Sequence, residues 1–212
     1  MNFGKAFTYI FDDPDWFDKL LIPVLVGLIP VVGTFALMGY VLRTVANVAR
    51  NVEYPLPRFD FGEDLGKGFR YFLVQMVWSI PVFLLTLLIF VPLMAVQSHE
   101  NGAVSWILIV LLTVFMIVVS LILGFLQPLV MANFAVKDKF SAGFEFGDFF
   151  RRLKNNFGAW MMVILGTIIA GVVIAPLGAF IVLIGVIITS TYAQLITAHL
   201  TGQAYRVSEK QN

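Results

Sequence analysis

The side chains with catalytic potential are few. The chain has two histidines, His99 and His199, no cysteine, and thirteen carboxylates against fourteen lysines and arginines. His99 falls in the turn-like stretch Ser98-His99-Glu100-Asn101-Gly102, and His199 ends an apolar run. Neither is placed with a carboxylate or serine that would complete a catalytic group, so both read as surface or interfacial residues. No HExxH, phosphate-binding glycine loop or G-x-S-x-G occurs. The absence of cysteine removes disulfides, thiolate metal sites and thiol nucleophiles. The expectation is a non-enzyme without cofactor or resident metal.

Asp12, Asp13, Asp15 and Asp18 form the one dense acidic cluster. Four carboxylates in seven residues could attract a cation, but Asp13-Pro14-Asp15-Trp16 reads better as a helix start. Asp13 would be the cap and Pro14 the first helical residue, where its missing N–H costs nothing. Asp15 would complement the positive helix end, and Trp16 would anchor at an interface.

Polar residues within the apolar runs are mostly Thr, Ser and Gln, whose ordinary role is hydrogen bonding between helices. Thr189, Ser190, Thr191, Tyr192 and Gln194 are concentrated enough to form a polar path or headgroup groove along the last helix. The runs at 71–97, 104–131, 158–175 and 179–199 contain no Asp, Glu, Lys or Arg in their interiors. Transport coupled to a buried carboxylate is thereby disfavoured.

These residues need a membrane scaffold to position them. Apolar residues make up 59% and charged residues 13%, with a mean hydropathy of +0.90. Soluble domains carry about 25% charged residues, so the composition marks a single integral membrane domain, residues 1–212. The net charge of +1 gives no basic surface for nucleic acid. With Asp-rich residues before the first apolar run and no basic leader, no secretory signal is expected.

Five apolar segments follow. The first, 20–42, is interrupted by Pro23, Pro30 and Gly33 and fits either a span or a broken, re-entrant element. Segments 71–97 and 104–131 make one hairpin; segments 158–175 and 179–199 make another. The predicted fold is all-α: a polytopic transmembrane helical bundle of two hairpins plus a proline-broken first segment, with amphipathic interfacial helices. Phe3, Phe7, Ile10 and Phe11 predict one such helix lying on the membrane.

Phe59-Asp60-Phe61-Gly62-Glu63 and Phe144-Glu145-Phe146-Gly147-Asp148 stand before the two hairpins. In the first copy Phe61, Leu65, Phe69 and Phe72 form a helical stripe, and in the second Phe146, Phe150, Leu153 and Phe157 do so. Trp16, Phe61, Phe69, Phe146, Phe150 and Phe157 are the expected interfacial anchors. Each stripe would lie in the interface and bend into a span, with Arg151, Arg152 and Lys154 on the opposite side of the second. The pair marks an internal repeat, about 43–131 and 132–212. Small residues Gly166, Ala170, Gly171, Ala175, Gly178 and Gly185 would let the last hairpin pack closely.

Lysine and arginine fix the expected orientation. Residues 43–70 hold five, residues 134–157 hold five and the tail holds Arg206 and Lys210, whereas the turns at 98–103 and 176–178 hold none. By the positive-inside rule both motifs and the C-terminus face the cytoplasm, in the inner (cytoplasmic) membrane.

Asp13-Pro14-Asp15-Trp16, Leu28-Ile29-Pro30, Gly39-Tyr40 with Arg43, Leu56-Pro57 and Gly202-Gln203-Ala204-Tyr205-Arg206 together resemble a prokaryotic family of polytopic membrane proteins known as a domain of unknown function. The resemblance implies no activity, ligand or site residue. The layout is also distantly similar to the membrane domain of glycerophosphodiester phosphodiesterases, without their hydrolase part. The expected function is a non-enzymatic membrane module that organises lipid or serves as a subunit of a larger membrane complex. The alternative is an oligomeric channel for small solutes or ions. Membrane lipids are the expected partners, with a homo-oligomer or larger assembly and no nucleic acid.

Overall fold

A computed structural model of the chain describes residues 1–97, 102–178 and 182–209, and every regular element among them is helical. The elements are α1 (Lys5–Thr8), α2 (Trp16–Gly27), α3 (Val32–Ala49), α4 (Phe61–Gln97), α5 (Gly102–Lys137), a 3₁₀ turn Phe140–Phe144, α6 (Phe146–Asn155), α7 (Phe157–Ile169), a π-helical turn Ala170–Ile174, α8 (Ala175–Leu177) and α9 (Val182–Glu209). His99 and Lys210 lie outside the described residues, as does the start of the expected fifth segment. Four helical stretches are long and apolar enough to cross a membrane: Val32–Ala49, Phe61–Met94, Gly102–Lys137 and Phe157–Leu177. The chain is a multi-helix membrane protein with an all-α fold.

Two compact units are present: Met1–Phe72 with Pro128–Asn212, and Leu73–Gln127. In the first, the second half of α9 is the central element. Leu195, Ile196, Ala198, Leu200, Ala204 and Tyr205 are all buried. A Cβ at Gly202 would collide with Val45 and Val48 of α3, and Arg206 bonds Asn51 just beyond α3, so α3 and α9 run parallel. Arg152 donates to the Tyr205 carbonyl, Asn155 to that of Ser208, and Leu200 fills the space beside Gly166. With Thr189 bonding the Ala175 carbonyl further along, the Gly166–Leu200 contact makes α7 antiparallel to α9, whereas on α6 residues 152 and 155 advance alongside 205 and 208.

The first apolar segment breaks at residues 28–31. Pro30 cannot continue the hydrogen-bond ladder, and Val31 takes φ 65°, a conformation strained for a β-branched residue. Pro23, in contrast, is accommodated inside α2. The Tyr40 hydroxyl donates to the Lys19 carbonyl, and a Cβ at Gly33 would strike the Val26 carbonyl. Helices α2 and α3 thus form an antiparallel hairpin. At about 1.5 Å per residue, the 12 residues of α2 reach only about 18 Å against a hydrocarbon thickness of about 30 Å. Residues 20–42 therefore turn back at 28–31 instead of running on as one straight helix, and α2 by itself is too short to span.

The two aromatic motifs fold differently. Asp60 caps the first, its carboxylate accepting the Glu63 N–H at 2.9 Å, and α4 then runs from Phe61 without interruption. The second opens α6, which ends at Asn156, whose side chain caps α7 through the Ala159 N–H. Only the second copy is an independent short helix followed by a bend. Gly39 and Gly68 seat α3 against α4: a Cβ on Gly39 would collide with the Asp64 carbonyl, and one on Gly68 with that of Phe35.

In the unit Leu73–Gln127, Gln75 donates to Gln127 at 2.8 Å and Thr86 faces Met116, which sets an antiparallel register. Phe83, Leu84, Leu87, Leu88, Phe90 and Val91 on α4 are exposed, as are Ile107, Val110, Leu111, Val114, Phe115 and Leu121 on α5. Apolar side chains point outward on nearly every face.

Candidate functional site

The polar residues that the fold gathers lie at the end of unit one formed by α1, the end of α3 and the second half of α9. Gln203 organises them. Its Oε1 accepts the Asn2 N–H at 2.7 Å, and its Nε2 donates to the Asn2 carbonyl at 3.1 Å and reaches His199 Nδ1 at 2.8 Å. Four residues separate His199 from Gln203, so helical periodicity alone sets them on one face. Tyr9 covers the imidazole, with ring centroids 4.2 Å apart, and its hydroxyl donates to the Leu195 carbonyl at 3.0 Å.

His199 is 5% exposed. Burial, then the charges of Lys5 and Arg206, push its pKa down to about 4. Burial also raises the Tyr9 phenol, so both rings are neutral near pH 7. The expectation that His199 is a surface or interfacial residue is corrected here: Tyr9, which stacks on it, and Asn2, which holds its partner Gln203, are nearly two hundred positions away, beyond the reach of local spacing. The same packing corrects the expected membrane-surface helix over residues 1–19. Only Lys5–Thr8 is helical, and Ala6, Tyr9 and Ile10 are buried.

Beside these residues opens a cavity of about 680 Å³. Lys5, Asp12, Glu53, Tyr54 and Arg206 join His199 and Gln203 in its lining. Its floor is neutral and hydrogen-bonded, and its charged groups come from three separate segments. A site of this kind can bind a small polar ligand through convergent charges and amides. Among the described residues, no three His, Asp or Glu side chains converge as a metal-ion site.

A second cluster centres on Asp148. Lys137, Arg151, Arg152 and Asn133 all donate to its carboxylate. Burial would raise its pKa, but the bonds from Lys137 and Arg152 and the Arg152 charge prevail and hold it well below the usual carboxylate range. Arg152, expected on the side opposite the aromatic stripe, is buried with its guanidinium 3.5 Å from the Tyr205 ring centroid. Lys137 also pairs with Glu145. The cluster fastens α5, α6 and α9 to one another.

The aspartates near residue 13 are occupied by protein partners. Asp13 accepts the Asp15 N–H at 3.0 Å, closing a turn ahead of the helix, and pairs with Lys19 at 2.7 Å; α2 starts at Trp16 with Asp15 in the cap position, so the expected start at Pro14 is corrected by two residues. Asp15 pairs with Arg58 at 3.4 Å.

Phe61, Phe69, Phe146, Phe150 and Phe157 are exposed, and Trp16 is half-buried against Phe11 and Phe17. Thr189 donates to carbonyls including that of Ala175 at the start of α8. Tyr192 donates to the Phe7 carbonyl, and Thr191 is buried without a hydrogen-bond partner among the described residues. Ser190 and Gln194 are half-buried. These five residues point in several directions around α9, and none of them lines the polar cavity.

Asn2, Lys5, Tyr9, Asn51 and Glu53 were invisible as site residues because they come from two segments, 2–9 and 51–53, that no local pattern links to each other or to α9. One usable signal was Gly202-Gln203-Ala204, where small residues beside Gln203 continue the helix beyond its apolar run and indicate packing rather than a solvated tail.

The model of a family described as "Protein of unknown function (DUF4013)" matches residues 22–190. No curated protein and no solved structure matches the chain, so the likeness to the membrane domain of glycerophosphodiester phosphodiesterases finds no support.

Proposed function

We propose, on the premise that this chain belongs to the DUF4013 family, that it is a non-enzymatic membrane module that organises lipid around its long hairpin. It sits in the cytoplasmic membrane, with the polar cavity, both aromatic motifs and the C-terminus on the cytoplasmic side. The observation that carries this reading is the outward-facing apolar surface of Leu73–Gln127. Phe83 is 60% exposed, Val91 67% and Leu121 68%. Such a surface is costly in water and at home in hydrocarbon.

Two features support the placement. The basic residues of 43–70 and 134–157 gather on one side of the predicted topology. Helix α6 exposes Phe146 and Phe150 together with Arg151 and Lys154, a composition suited to the headgroup boundary of an anionic leaflet.

Reconstitution with lipids bearing a photoactivatable diazirine in the acyl chain tests the reading. Crosslinks are expected on exposed side chains of both helices, including Phe83, Leu84, Leu111 and Phe115. Protection of these residues would mean that protein covers the hairpin. Flux of ions or small solutes through the same liposomes would replace the module with the channel.

A further inference from the structure

Lys5, Asp12, Glu53 and Arg206 line one cavity, and among the described residues none of them has an ion-pair partner within 4.0 Å. This contrasts with most other carboxylates of the chain: Asp13, Asp15, Glu63, Asp64, Asp138, Glu145, Asp148 and Glu209 are all paired. Two side-chain charges of each sign therefore face the same space without neutralising one another. From this arrangement we propose that the cavity binds a phosphoethanolamine group, with the phosphate held by Arg206 and Lys5 and the ammonium held by Asp12 and Glu53.

The chemistry of each side follows from its groups. A guanidinium presents a planar fork of donors that matches phosphate oxygens, and a lysine ammonium adds a mobile point charge. Arg206 is already oriented by its bond to Asn51. The positive field of Lys5 and Arg206 reaches inward as far as His199, where it opposes protonation. Because His199 spends its Nδ1 on Gln203 and Gln203 spends both ends of its amide on Asn2 and His199, the floor adds no competing charge. A simple anion would leave Asp12 and Glu53 facing a like charge, whereas a zwitterion uses all four residues. The volume of about 680 Å³ falls within the range of small-ligand sites, about 300–1,000 Å³.

The group could arrive as free O-phosphoethanolamine or as the headgroup of phosphatidylethanolamine, and the site chemistry is the same. The full chain, in nanodiscs of phosphatidylglycerol and phosphatidylcholine, is titrated calorimetrically with O-phosphoethanolamine, inorganic phosphate and ethanolamine. In parallel, lipids retained on purification from ethanolamine-containing membranes are identified by native mass spectrometry.

O-phosphoethanolamine is expected to bind at least about tenfold tighter than either fragment, the scale of one charge-assisted hydrogen bond. Lys5→Gln and Glu53→Gln alter exposed side chains with no hydrogen bond within the described residues, so their folding is expected to be retained, and each should weaken binding by a similar factor. Retained phosphatidylethanolamine that is lost in both variants, with weak binding of the free compound, assigns the lipid as the source; the reverse pattern assigns the free compound. Equal binding of inorganic phosphate, unchanged binding in both variants, or neither binding nor retention would overturn the proposal. Lipid crosslinking to the long hairpin would stand in any of these cases.

Discussion

The imidazole of His199 stacks on the phenol ring of Tyr9, with planes 20° apart, while its Nδ1 is engaged by Gln203. A protonated ring there would lose that acceptor and stand near Lys5 and Arg206, with Asp12 and Glu53 the acidic groups of the same cavity. The pKa is about 4 in the folded chain against 6.5 when unperturbed. Between these values the unfolded chain binds more protons, so stability is complete above pH 6.5 and falls as the pH drops toward 4. The loss should reach about 3 kcal/mol. Unfolding in detergent at pH 4.5 and 7.5 checks this, and His199→Gln should remove the dependence that arises in this window.

Asp148 balances the buried guanidinium of Arg152, which it meets at 3.0 Å. Asp148→Asn leaves that charge with the Tyr205 ring and carbonyl and, at 3.9 Å, the exposed carboxylate of Glu209. Removing one partner of a buried pair costs about 3–5 kcal/mol. The expected result is a loss of that order in a denaturant titration, together with faster proteolysis between α5 and α6. Lys154→Gln, an exposed change on the same helix, should alter stability by less than about 0.5 kcal/mol.

Gly39 and Gly68 each lie where a Cβ would run into the backbone of the facing helix. Rigid backbone cannot yield as a side chain can, so Gly39→Ala and Gly68→Ala should each destabilise by about 3 kcal/mol or more, the upper end of overpacking costs. Gly66, two residues before Gly68 in α4, has open space around its Cα. Gly66→Ala should stabilise by about 0.5–1 kcal/mol, because only helix propensity changes. Thermal unfolding of the three variants separates packing from propensity.

The helical segments were legible because hydrocarbon thickness imposes long apolar runs, and the 71–97 and 104–131 pair could be read almost to its ends. Pro30 and Gly33 marked the break in the first segment, although their local pattern did not distinguish a span from a return. The closure became visible only through Tyr40 bonding to Lys19. Similarity between the two aromatic motifs concealed a difference in fold, since Asn156 ends α6 whereas α4 continues through the equivalent stretch. The cavity was not legible at all. Asn2 and Gln203 stand 201 positions apart, and no periodic pattern links them. The close seating of Gly178 beside Gly185, in contrast, agrees with the small-residue surface expected of the last hairpin.

The proposed placement of the long hairpin in hydrocarbon, with the polar cavity on the cytoplasmic face, can be measured directly because the chain contains no cysteine. Single substitutions Lys5→Cys, Glu53→Cys, Leu84→Cys and Leu121→Cys are treated with a membrane-impermeant maleimide in right-side-out and inverted vesicles. Labelling at 5 and 53 only in inverted vesicles, with 84 and 121 unlabelled in both, is the predicted result. Labelling at 5 or 53 from outside, or ready labelling at 84 and 121 from water, would contradict it.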